Sequence, residues 1–167
     1  MNVLETERLA LRKIEVSDAP FMLKLLNSQG WLEYIGDRKV HSVVDAEIFI
    51  EKYYIPSYTQ NGYGSYLVSL KESSIAIGAC GLYKREDLDN PDIGFAFLPD
   101  YIGKGYGYES AKAVLDFAFS TLQLHKILGF TVKENIASIK LLEKLGLKEI
   151  GTYDYDSKEE YLLLFST

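Results

Sequence analysis

The residues best placed to do chemistry are three glycines in the run Ile102-Gly103-Lys104-Gly105-Tyr106-Gly107. A strand-like stretch, IGFAFLP, precedes this run, and helical spacing follows it. Glycine has no Cβ and tolerates positive φ, so successive N–H groups can turn toward one point. The free N–H groups and partial positive charge of a helix N-terminus fall on the same point. The result is an anion site suited to a pyrophosphate; the plain alternative is a tight turn that needs glycine for steric reasons. Lys104 either adds charge to the anion or extends into water. A Rossmann loop is disfavoured. That loop opens the first βα turn, whereas this one follows the fourth expected strand, and Tyr108 stands where a third glycine would fall. A P-loop is excluded because no Gly-Lys-Ser/Thr follows.

Other reactive residues are sparse. Cys80 is the one cysteine and lies in the apolar run IAIGACGLY, so it reads as a core residue. A lone thiol forms no internal disulfide and fits a reducing, cytoplasmic setting. Of the two histidines, His41 and His125, the second begins a strand and reads as structural. Glu33 and Glu109 are candidate bases, although Glu109 suits the first turn of a helix, where a carboxylate favours the dipole. With 13 tyrosines, most must pack; Tyr153, Tyr155 and Tyr161 are hydroxyls near the end of the chain. The net charge of −6 argues against nucleic acid, which asks for a basic surface, and is compatible with cationic amines. No stretch approaches the ~20 apolar residues of a membrane span. Glu5, Glu7 and Arg8 replace the apolar run of a signal peptide.

These residues need elements to hold them. Alternation over 6–14 reads as a strand. Ser17 reads as the N-cap of a helix carrying Pro20 in its first turn and stopping by Gly30. Ser42 with Asp45 resembles a capping box for a second helix, reaching Ile55 before Pro56. GSYLVSLK and SIAIGACGLY predict an antiparallel hairpin turning near Glu72 and Ser73. IGFAFLP is a strand, 105–122 a helix, and KILGFTV a strand. Asn135 caps the helix IASIKLLEKL, which Gly146 ends. LKEIGTY and EYLLLFS are the final strands. The order β-α-α-β-β-β-α-β-α-β-β predicts a single α+β domain over 1–167. It has a mixed, mostly antiparallel sheet of about seven strands and about four helices. The strands flanking the 105–122 helix should be parallel, with a right-handed crossover.

The runs IGFAFLPDYIGKGYGYESAKAVLDFAF and LHKILGFTVKENIASIKLLEKLGLKEIG, with the opening ETERLALRKIEVSDA, resemble the GNAT superfamily of N-acetyltransferases. Within it they resemble the Rim-type branch, which acetylates ribosomal-protein N-termini. The likeness covers nearly the whole chain and is densest over 93–151. It implies acetyl-CoA as the acetyl donor, its pyrophosphate on the main chain of Ile102, Gly103, Lys104, Gly105, Tyr106 and Gly107. It implies that the backbone of Phe95, Phe97 and Leu98 holds the pantetheine arm, and that Asn135 and Ser138 lie near the pantetheine and the thioester sulfur. Ile102 departs from the Gln or Arg common at its position, at little cost where backbone does the binding. The likeness is also compatible with a homodimer.

Acetyl transfer to an amine needs a neutral amine, donors for the carbonyl oxygen as it becomes an oxyanion, and a proton for the leaving thiolate. Ser138 is the candidate acid, or it helps Asn135 cap its own helix. Asp92, at the start of the strand before the glycine loop, is the candidate base acting through water, or an ordinary residue after Pro91. An α-amine with a pKa of about 7.8 is over roughly 10% neutral at pH 7, whereas a lysine is neutral less than about 0.1% of the time. No strong base stands out in the sequence, which favours a terminal α-amine or a low-pKa small amine; of these, a peptide N-terminus is the expected acceptor. A small amine (aminoglycoside, polyamine or amino acid) is the alternative acceptor. A non-catalytic CoA-binding module and a nucleotide-binding module are the rival classes. The acceptor pocket is expected near Trp31, Tyr34 and Tyr53 and the final strands.

Overall fold

The computed structural model describes residues 1–154 and 161–167. Eight strands form one sheet in the order β1-β2-β3-β4-β5-β6-β8-β7. They are β1 (Asn2–Glu5), β2 (Leu9–Lys13), β3 (Ser65–Leu70), β4 (Ala76–Tyr83), β5 (Asp92–Phe97), β6 (Leu128–Thr131), β7 (Lys148–Tyr153) and β8 (Leu162–Ser166). The helices are α1 (Ala19–Leu26), α2 (Gln29–Tyr34), α3 (Val43–Phe49), α4 (Ile55–Gln60), α5 (Tyr106–Ser120) and α6 (Ile136–Lys144). All strand pairs are antiparallel except β5 with β6, the pair joined by α5. The α+β class, the parallel pair and the β3–β4 hairpin are as the sequence implies. The extra strand is β1, too short and too exposed to alternate visibly.

Two apolar clusters pack on the sheet. One joins Leu9, Leu11, Val68, Ile77, Ile93 and Phe165 to Ala111, Val114, Leu115 and Leu142 of α5 and α6. The other joins Leu67, Ala79 and Leu98 to α1, α2 and α3 through Met22, Leu25, Trp31 and Ala46. Fully burying one such Leu or Ile contributes about 1.5–3 kcal/mol, so both layers are held by many such side chains.

Two expected boundaries move. Ser17 is not the cap of α1: it lies in the 3-10 turn Val16–Asp18, where Glu15 and Asp18 form the reciprocal cap. Asp18 is fixed there by Arg12, whose Nη1 and Nη2 donate at 2.8 and 2.7 Å. Pro56 does not end the second helix. The π-helical stretch Ile50–Tyr54 joins α3 to α4, and Pro56 sits in the first turn of α4. The wider π turn moves aside the carbonyls that a proline ring would strike. The caps at the other end of the chain are as expected: Asn135 Oδ1 accepts from Ser138 N at 3.2 Å, and Gly146 has φ +94 just after α6.

Candidate active site

β5 and β6 start together and then part. Among the described residues they pair at one position, Asp92 opposite Leu128, with Leu128 N donating to Pro91 O at 2.8 Å. Farther along, β5 remains paired with β4 alone. Leu98 N donates to Ile77 O at 2.9 Å, which sets the alternation of backbone groups along β5. Even-numbered residues direct N–H and C=O to β4; Phe95 and Phe97 direct theirs into the gap that β6 has left. The gap is therefore lined by main-chain donors and acceptors, as an extended amide-bearing chain requires.

At the wide end of this gap lies the glycine loop. Gly103 and Gly105 have φ +79 and +84, the left-handed region that a side chain would strain. Gly105 is the N-cap of α5. Among the described residues, no protein acceptor receives the N–H groups of Gly103, Lys104, Gly105, Tyr106, Gly107 or Tyr108. A Cβ on Gly107 would stand 3.3 Å from Leu141 Cδ2 and 3.8 Å from Phe97 Cε2, so the first turn of α5 sits against both β5 and α6. The loop has the donors, the open space and the helix N-terminus that a pyrophosphate needs.

Two residues expected here do not contribute donors. The Leu98 amide is used by β4, and its carbonyl accepts from Tyr101 N at 2.9 Å, because alternation turns every second residue away from the gap. Ile102 N donates to Pro99 O at 3.2 Å in the short turn before the loop, and its side chain is exposed. The donors begin at Gly103. Lys104 Nζ lies 5.6 Å from the Tyr101 ring centre.

Across the gap, Asn135 and Ser138 stand at the start of α6. Ser138 is half-buried, and among the described residues its hydroxyl makes no hydrogen bond. Capping therefore uses its N–H and leaves its Oγ free.

Asp92 is where the sequence puts it, at the start of β5, and its carboxylate is held in an ion pair. It is 2% exposed, and its carboxylate accepts from Arg85 Nε at 2.9 Å and Nη2 at 3.3 Å. Burial raises its pKa, and the Arg85 charge and hydrogen bond only partly oppose this. The ion pair locks the point from which β5 and β6 diverge. Arg85 stacks 4.8 Å from the Phe130 ring of β6, and Tyr153 Oη donates to Asp87 Oδ2 at 2.5 Å. Tyr153 is thus committed; Tyr161 is exposed, and Tyr155 lies outside the described residues.

The three aromatics expected around the acceptor are not gathered together. Trp31 is buried in the core, its Nε1 without a partner among the described residues. Tyr53 lines a hollow of ≈ 200 Å³ with Arg38, Phe49 and Lys52. Tyr34 is half-buried, and its phenol is pushed up first by its hydrogen bond with Glu33 and next by the Glu33 charge. His41 and His125 are exposed. Cys80 is fully buried, and burial pushes its thiol up to about 12.

The N-terminal turn was not legible as part of this site. Glu109, in the first turn of α5, accepts from Thr6 Oγ1 at 2.6 Å, Arg8 N at 2.9 Å and Arg8 Nε at 2.6 Å. These bonds remove it from the candidate bases.

The model of the acetyltransferase (GNAT) domain matches residues 8–148. The chain belongs to the GNAT acetyltransferase family. The uncharacterized N-acetyltransferase YnaD of Bacillus subtilis (strain 168) is 28% identical over 150 residues, 90% of this chain and 85% of that protein. A GNAT-family acetyltransferase from Bacillus anthracis superposes with a TM-score of 0.78 at 26% identity, covering 98% of this chain and 95% of its own. RimL, the ribosomal L7/L12 α-N-protein acetyltransferase in complex with coenzyme A, gives 0.85 at 16% identity, covering 100% and 97%. GNAT enzymes take their acetyl group from acetyl-CoA, so this chain is an acetyl-CoA-dependent N-acetyltransferase acting on an amine. No helix of the described residues is long and apolar enough to cross a membrane.

Proposed function

We propose that this GNAT enzyme acetylates the α-amine of a peptide or protein N-terminus, in the cytoplasm, by direct attack within a ternary complex. The observation that carries the reading is the state of the carboxylates around the gap. Asp92 is held by Arg85 and Asp87 by Tyr153. A site whose acids are already engaged suits an amine that loses its proton to water unaided. At pH 7 that is an α-amine, over roughly 10% neutral, rather than a lysine.

Acetyl-CoA supplies the thioester whose carbonyl carbon the amine attacks. The residues then have distinct work. The N–H groups of Gly103 to Gly107 hold the pyrophosphate, and the backbone of Phe95 and Phe97 orients the arm in the gap. A strand N–H there is placed to receive the carbonyl oxygen as charge develops. The free Ser138 hydroxyl holds a proton for the departing thiolate. With a thiol pKa of about 8.5, that demand is small.

The test has two stages. Calorimetric titration should give micromolar acetyl-CoA binding. An acceptor screen should then favour Ser- and Ala-initiated peptides over spermidine, aminoglycosides and free amino acids. Preference for a polyamine would replace the acceptor and keep the enzyme; binding with no acceptor acetylated would leave a CoA-binding module.

A further inference from the structure

We infer that Arg8 is a positioning residue for the pyrophosphate loop, acting on the direction of the Gly105 amide without touching the phosphates. The inference rests on the acetyl-CoA reading above. Arg8 lies in the turn between β1 and β2, far in sequence from the loop, yet its side chain makes three contacts there. Nη1 donates to Lys104 O at 3.0 Å, Nε donates to Glu109 Oε2 at 2.6 Å, and the guanidinium lies 4.5 Å from the Tyr106 ring centre. A Cβ built on Gly105 would stand 3.2 Å from Nη2.

Lys104 C=O and Gly105 N–H belong to one planar peptide, and no peptide bond in the described residues is cis. In a trans peptide the two groups point in opposite directions. By holding the carbonyl on its own side, Arg8 turns the Gly105 N–H away from itself. A glycine at φ +84 has no side chain to hold that orientation, so the contact from outside supplies it.

The same contacts settle a charge problem. Glu109 sits in the first turn of a helix whose N-terminus must attract an anion. An uncompensated carboxylate there would oppose the phosphates. Arg8 pairs with it, and Thr6 and the Arg8 amide complete its hydrogen bonds. The arrangement needs a planar fork that can bond a carbonyl and a carboxylate while stacking on a ring. Lysine, a point charge, cannot do all three.

The test is the affinity of wild type, Arg8→Ala and Arg8→Lys for CoA and 3′-dephospho-CoA, with the rate using S-acetylpantetheine, which lacks the pyrophosphate. Both variants should bind CoA and 3′-dephospho-CoA roughly tenfold or more weakly, by the same factor, since a hydrogen bond to a charged group is worth about that much. Their kcat/KM with S-acetylpantetheine should stay within about twofold of wild type. Equal losses for all three compounds would mean a general structural role and overturn the inference. An effect confined to CoA would mean direct contact with the 3′-phosphate and overturn it too. So would full affinity in Arg8→Lys, which would leave charge alone as the cause. If Arg8→Ala fails to fold, Arg8→Lys is read by the same criteria. Failure of wild type itself to bind CoA would instead sink the acetyl-CoA reading, and the inference with it.

Discussion

The two walls of the gap between β5 and β6 are made of different material. The donor wall is main chain: the Phe95 and Phe97 backbone groups and the loop amides from Gly103 onward. The wall we assign to the acceptor is side chain: the Asp92–Arg85 pair and Tyr153 with Asp87. A main-chain site depends on backbone shape, which glycine spacing and strand alternation fix locally. A side-chain site depends on which distant residues the fold brings together. Substitution should therefore break the donor wall through geometry and the acceptor wall through lost partners.

The largest effect should come from Gly105→Glu. A side chain strained at φ +84, close to Arg8 and carrying negative charge toward the anion site, should weaken acetyl-CoA binding by roughly a hundredfold or more, with the circular dichroism spectrum unchanged. Binding within threefold of wild type would remove the loop from the site.

Next is Asp92→Ala. Removing a buried carboxylate that accepts two hydrogen bonds from Arg85 should cost about 1.5–3 kcal/mol in urea unfolding. Asp92→Asn separates the two roles. If it keeps most of the stability but loses catalysis with a changed pH profile, Asp92 is the base after all.

Ser138→Ala should lower kcat by roughly tenfold, at the weak end for a general acid, and leave the acetyl-CoA Kd unchanged. An unaltered kcat would return Ser138 to its helix.

The smallest effect concerns acid. Burial alone would raise the Glu109 pKa, but hydrogen bonds from Thr6 and Arg8 outweigh it and hold it low. Its contribution is complete above the ordinary carboxylate range and is lost as pH falls through its folded value. Wild type should therefore lose slightly more stability below about pH 4 than Glu109→Gln does. Parallel acid-denaturation curves for the two proteins would contradict this.

What could be read from the sequence follows the same division. The glycine loop, the α6 cap at Asn135 and the parallel β5–α5–β6 unit are local patterns, and each lies where the residues imply. The strand β5 was legible too, but not which of its residues face the gap. Only the Leu98–Ile77 bond shows that Leu98 faces β4 while Phe95 and Phe97 face the gap. The Arg8–Glu109 clamp joins residues 101 positions apart, and the Asp92–Arg85 pair needs the turn between β4 and β5 to fold back. Neither leaves a periodic trace. Pro56 misled for a related reason: a π turn is set by how the helix packs, not by its residues alone.

The most direct test of the account is residue-resolved amide hydrogen exchange with and without acetyl-CoA. Protection should appear at Phe95, Phe97 and the amides of Gly103 to Tyr108, and leave Leu98 and Ile102, already bonded within the protein, unchanged. Protection elsewhere with none at these amides would contradict a donor site built from the main chain of β5 and the glycine loop.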